Sequence, residues 1–144
     1  MIKDIIENED YKDLVSKQVK EVMDFLLLND KEFSITGNLD AITFEPELPD
    51  VIKTQLPKYP LFILSNYTYS TIALNEEYIT FEAGFGNENF GSVVKVPLQS
   101  VFQVILDESI LFLNPVATVE KFNKNRKSNS MNVFKNNPNN KKFN

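Results

Sequence analysis

The chain has no histidine and no cysteine, so the side chains that most often serve as general base and strong nucleophile near neutral pH are both missing. Zinc chemistry, built mostly from imidazole and thiolate, goes with them. What remains for acid–base work is carboxylates: Glu76, Glu77, Glu82, and the pair Asp107 and Glu108. Two carboxylates divide into an acid and a base only where their surroundings push their pKa values apart. These stand in turn or alternating segments, where a solvated acid is the ordinary case. The sequence also lacks a Gly-x-Gly-x-x-Gly, a phosphate-binding glycine loop and a Gly-x-Ser-x-Gly elbow. It therefore predicts a protein that binds rather than catalyses, with no metal and no cofactor.

Binding groups need elements to present them, and the clearest element lies at residues 78–104. Ile79, Phe81, Ala83 and Phe85 alternate with Thr80, Glu82 and Gly84, the period of a half-buried strand. Gly86, Asn87, Asn89 and Gly91 supply a turn, and Val93, Val94 and Val96 form the returning strand. Pro97 ends it, having no N–H to donate. Residues 61–68 read as a strong strand, and residues 69–74 begin another that turns at Asn75-Glu76-Glu77. Residues 41–44 read as a strand, 49–57 as a helical turn and 110–113 as the last strand, while Phe33 and Ile35 suggest a short one. Residues 101–105 are apolar without a clear period. Ahead of these, Asp10 can cap a helix in which Tyr11, Val15, Val19, Val22 and Leu26 share one face. Leu14, Met23, Phe25 and Leu27 widen that surface, so the helix either caps a β-core or also meets a second copy. Several short strands after one helix suggest an all-β sandwich or open barrel. Periodicity alone leaves an α+β meander equally open.

With 144 residues, 42% of them hydrophobic, the chain suits one domain with a modest core. No apolar run approaches the ~20 residues of a membrane helix. The acidic start lacks the pattern of a secretion signal, and the lack of cysteine fits a reducing compartment, so the expected location is the cytoplasm. Residues 1–119 carry 19 acidic and 8 basic side chains, a balance of −11, whereas residues 120–144 carry 7 basic and 1 acidic, a balance of +6. An acidic body disfavours nucleic acid, although the basic end keeps weak RNA contact open. Nine asparagines fall in those last 25 residues, a composition that cannot bury enough apolar area to offset chain ordering. The expected division is a folded domain at 1–118 and a disordered basic tail at 119–144.

The ordered series of the long helix, Ile42-Thr43-Phe44, Pro49 and Val51, then Leu56-x-Lys58-Tyr59-Pro60 before Leu61-Phe62-Ile63-Leu64-Ser65, resembles the SspB family. The strand at residues 79–85 and Val94-x-Val96-Pro97 complete it, so the likeness spans roughly residues 10–115, nearest the alphaproteobacterial branch. Members are adaptors that hold ssrA-tagged polypeptides and bring them to ClpX of the ClpXP protease. The resemblance implies a mainly β fold, an open barrel or sandwich of two small antiparallel sheets with one N-terminal helix. It implies a peptide groove at Ser65, Asn66, Tyr67, Thr80, Glu82 and Phe85, and a homodimer formed through Val15, Val19 and Val22. It also implies a docking peptide for ClpX, for which Val133, Phe134 and Lys135 have the chemistry, an apolar pair followed by a cation. Ser65, Tyr67 and Thr80 depart from what members carry there, which leaves the tag register open. Two other functions remain in view: a small β-barrel RNA-binding protein, or a module for an unrelated peptide.

Overall fold

The computed structural model describes residues 1–119, and its scaffold follows the expected plan. Asn8, not Asp10, caps the long helix α2 (Glu9–Leu28), because the Asn8 side chain accepts the Tyr11 N–H at 3.0 Å. Glu9 and Asp10 then fall in the first turn, where negative charge meets the positive end of the helix dipole. A one-turn helix α1 (Ile2–Ile6) precedes it.

Eight strands follow: β1 (Phe33–Gly37), β2 (Thr43–Glu45), β3 (Leu61–Leu64), β4 (Ala73–Leu74), β5 (Tyr78–Phe85), β6 (Phe90–Pro97), β7 (Val101–Leu106) and β8 (Ser109–Leu113). Short helices α3 (Asp50–Lys53) and α4 (Asn66–Ser70) interrupt them. The strands make two antiparallel four-stranded sheets, ordered β3-β1-β7-β8 and β2-β6-β5-β4. A mainly β architecture of two small sheets with one long helix is thus present. Residues 101–105, ambiguous by period, join β7 between β1 and β8.

Alternation puts Phe33, Ile35, Phe62, Leu64 and Val104 of one sheet, and Phe44, Ile79, Phe81, Val94 and Val96 of the other, into one buried cluster. Phe62 ties the sheets together edge-on, with ring centroids 5.4 Å from Phe81 and 6.5 Å from Phe85. Val19, Met23 and Leu26 of α2 enter the same cluster.

Buried amides secure the C-terminal side of this body. Asn114 Nδ2 donates to the carbonyls of Gln99 at 3.0 Å and Val101 at 2.9 Å, while its Oδ1 accepts the Val116 N–H at 2.9 Å. Asn38 Nδ2 reaches the Ala117 carbonyl at 2.9 Å. These bonds hold the 3₁₀ turn Pro115–Thr118 in place, and Val119, only 2% exposed, packs with it. Val119, the last described residue, is thus buried against the folded body. The remaining expected tail lies outside the described residues.

One strand expectation is corrected. Residues 61–68 do not run as one strand; the ladder stops at Leu64, and Ser65 starts α4. Asn66 takes φ 52°, a left-handed conformation that asparagine tolerates, and its N–H donates to the Glu32 carboxylate at 2.8 Å. The strand expected at 69–74 is likewise reduced: residues 69–72 lie outside it, and only Ala73 and Leu74 pair, as β4.

Candidate functional site

The two long strands β5 and β6 pair along their whole length, Phe85 opposite Phe90 and Tyr78 opposite Pro97. Their core faces carry Ile79, Phe81, Val94 and Val96, so Thr80, Glu82, Gly84, Lys95, Val93 and Gly91 face outward. Gly84 lies opposite Gly91, which leaves a bare strip of backbone at one end of this face. The Asn89 side chain occupies the space that a Cβ on Gly84 would take, whereas a Cβ on Gly91 would meet nothing. Asn89 and Gly86 both adopt positive φ, 53° and 74°, to close the hairpin beside this strip.

Helix α4 overhangs the same face. The Tyr67 hydroxyl donates to Glu82 Oε1 at 2.8 Å, and Thr71 Oγ1 accepts the Glu82 N–H at 2.9 Å. A cleft of about 430 Å³ opens here, with Tyr67, Thr68, Glu82 and Gly84 on one side and Glu45, Val93 and Gly91 on the other. The hydrogen bond to Glu82, followed by that carboxylate's charge, holds the Tyr67 phenol above its ordinary pKa.

The cleft also borders a strand edge. β4 pairs only with Ile79 and Thr80 of β5, and among the described residues no strand continues along that edge. The Tyr78 N–H and carbonyl bond to Asn75 on this side, and the Glu82 N–H to Thr71. Antiparallel alternation therefore turns the backbone N–H and C=O of Gly84 to the same edge. Backbone groups at an open edge beside a cleft are what an extended peptide needs in order to add a strand.

Of the six residues expected in a groove, the fold brings two together here, Tyr67 and Glu82. Thr80 faces outward but lies a row away, where its hydroxyl reaches the Ala73 carbonyl at 3.4 Å. Ser65 is half-buried at the start of α4, and the Asn66 backbone N–H is held by the Glu32 carboxylate; neither residue lines the cleft. Ser65 and Tyr67 are not alternate residues of a strand, because the chain becomes helical between them. Phe85 packs edge-on against Phe44, 5.7 Å between centroids, as a ring of the core and not a pocket wall. Glu45, Asn89 and Val93 are lining residues that sequence reasoning did not single out. The placement of Gly84 and Gly91 about the Gly86–Asn89 turn was a legible signal for the hairpin register, and hence for Val93. Glu45 had none, since β2 is brought to β6 by long-range pairing.

Two of the three residues expected at a dimer interface are buried within the protein itself. Val15 is 2% and Val19 0% exposed, because this stripe of α2 packs onto the protein's own core. Val22 is half-buried at the floor of a second, apolar groove of about 580 Å³, shared with Phe25, Leu26, Leu106 and Leu111. The stripe that α2 leaves outside is Leu14, Phe25 and Leu28, the last two 65% and 83% exposed. Val133, Phe134 and Lys135 lie outside the described residues.

Among the described residues no cluster of acidic side chains could hold a metal ion, and no helix is long and apolar enough to cross a membrane. Compared with known proteins, the chain matches no protein-family model, and a search of curated proteins finds no match.

Proposed function

We propose that the protein is a peptide-capturing adaptor of the SspB kind, which seats an extended segment of an ssrA-tagged polypeptide against β5 and brings it to ClpX of the ClpXP protease. One observation carries this reading: a cleft roofed by Tyr67 lies beside the Gly84 end of β5, where no strand among the described residues pairs beyond Thr80 on the β4 side. An adaptor of this sort needs no reactive side chain. Affinity comes from main-chain hydrogen bonds, and selectivity from side chains at alternate positions. The acidic balance of the body and the glutamates in the cleft weigh against RNA as its ligand. Pairing of two copies through the outer stripe of α2, Phe25 and Leu28, belongs to the same proposal.

The basic C-terminal residues act as the tether, linking capture to the protease and raising the local concentration of substrate. The deciding experiment is titration of a fluorescent ssrA tag peptide, followed by degradation of a tagged substrate by ClpXP at low substrate concentration. Binding and acceleration support the reading, and failure of the tag peptide to bind at tens of micromolar protein refutes it. A chain ending after Val119 keeps tag affinity within about threefold but loses the acceleration, since segments outside a preformed groove add little to its affinity.

A further inference from the structure

We propose that the apolar groove between α2 and β8 is a docking site for this chain's own C-terminal segment, which seats Val133 and Phe134 there and sets its flanking cations against an acidic rim. The inference stands apart from peptide capture over β5 and concerns where the proposed tether rests.

The groove, about 580 Å³, is lined by Val22, Phe25 and Leu26 of α2 on one side and by Leu106 and Leu111 of β7 and β8 on the other. Phe25 is 65% and Leu111 46% exposed, so this contiguous apolar surface gains from being covered. β8 pairs with β7 alone among the described residues, which leaves a strand edge open beside the groove.

Reach selects the occupant. The described body ends at Val119, next to the Pro115–Thr118 turn that Asn114 holds to the Val101 carbonyl at the start of β7. The groove lies at the other end of that strand, at Leu106. At ~3.3 Å per residue, the two ends are about 17 Å apart. Phe122 follows Val119 too closely, since three residues span at most roughly 11 Å. Phe134 comes later by fifteen residues, which can span roughly 50 Å. Phe143 also has the reach but stands between Lys142 and Asn144, whereas Val133 and Phe134 adjoin one another with Met131 close before them.

Charge agrees with reach. Glu21 lines the groove, Asp30 stands between the lining residues Asn29 and Lys31, and Asp107 and Glu108 form the turn after Leu106. Against the single cation Lys31 these four acids leave the rim at 1 − 4 = −3. None of the four makes an ion pair among the described residues. Residues 120–144 carry +6, and Arg126, Lys127 and Lys135 flank the apolar run. Complementary charge guides such a segment to the groove and fixes its register. Because the segment belongs to the same chain, its effective concentration is on the order of millimolar, so even a weak contact is populated. While docked, the segment is withheld from any partner, and its release precedes tethering. Phe25 also belongs to the outer stripe of α2, so a docked segment and a second copy compete for it.

The test uses the full chain. It has no cysteine, so Asn136→Cys carries a single nitroxide beside the apolar run. In isotope-labelled protein, the expected result is loss of the amide signals of Val22, Phe25, Leu106 and Leu111. The signals return when Phe134→Ser is added, a change that lies outside the folded body, and they return in part as salt screens the rim. An equimolar mixture of labelled chain without nitroxide and unlabelled chain with it shows no comparable loss. Equal loss in that mixture assigns the groove to the segment of another copy and overturns docking within one chain. Groove signals that shift with protein concentration in Phe134→Ser as they do in the wild type mark a second copy as the occupant, with the same consequence. No loss at the groove, or a loss that survives Phe134→Ser, overturns the proposal outright, and a loss that salt leaves unchanged overturns the role of the rim. Peptide capture over β5, read by the tag titration, is untouched by any of these results.

Discussion

Tyr67→Ala separates the site from the fold. Tyr67 is 67% exposed, so truncation removes little buried apolar area, and among the described residues its side chain bonds to Glu82. Water replaces an exposed hydrogen bond when its partner is removed, so the folding cost should be small. As a roof over the cleft, the ring contributes as an aromatic anchor, for which truncation costs about 1–3 kcal/mol of binding, roughly 5- to 150-fold in Kd. Phe81→Ala is the control with the opposite profile. Phe81 is 1% exposed and packed edge-on to Phe62, so its loss should cost about 3–5 kcal/mol of stability, a large part of a small domain's total. Tyr67→Phe divides the effect further, since it keeps the ring and deletes only the donor to Glu82. Urea denaturation reads the folding term, and anisotropy of a labelled ssrA tag peptide reads binding. A folded Tyr67→Ala protein that binds the tag as the wild type does would refute the placement of the site.

Three other outcomes follow from the same geometry. Phe25→Glu should give a folded monomer by sedimentation, because it charges the exposed stripe of α2; Val19→Glu should unfold the chain instead, since it buries a charge without a partner. A dimeric Phe25→Glu protein would move the interface elsewhere. Asn114→Ala removes three hydrogen bonds, two of them buried, and orphans their backbone partners, so it should cost about 3 kcal/mol in denaturant titration, and less than 1 kcal/mol would contradict that role. Tyr67 should ionise above the ordinary value of about 10 in an ultraviolet pH titration and return toward it in Glu82→Gln. With the folded-state pKa raised, whatever stability the bond provides is fully present below the unfolded value and is lost as pH rises through the folded one.

What the sequence determined by itself is local. The period-2 run from Ile79 to Phe85, the glycine and asparagine turn and the valines after it specify the β5–β6 hairpin, because side-chain alternation and turn chemistry act over only a few residues. The four-and-three spacing of Val15, Val19, Val22 and Leu26 specifies α2 for the same reason. Tertiary structure decided what these elements face. Whether Val19 or Phe25 of one helix lies inside depends on which stripe the turn at Leu98–Ser100 and β7 meet, and both stripes are apolar. The break at Asn66 depends on Glu32, 34 residues away in the chain. The row of Glu45, Val93 and Glu82 across the cleft exists only because β2 pairs with β6 across some fifty residues. Such pairings are settled by closing long loops over a shared core, a cost and a reward to which no single segment of the sequence is sensitive.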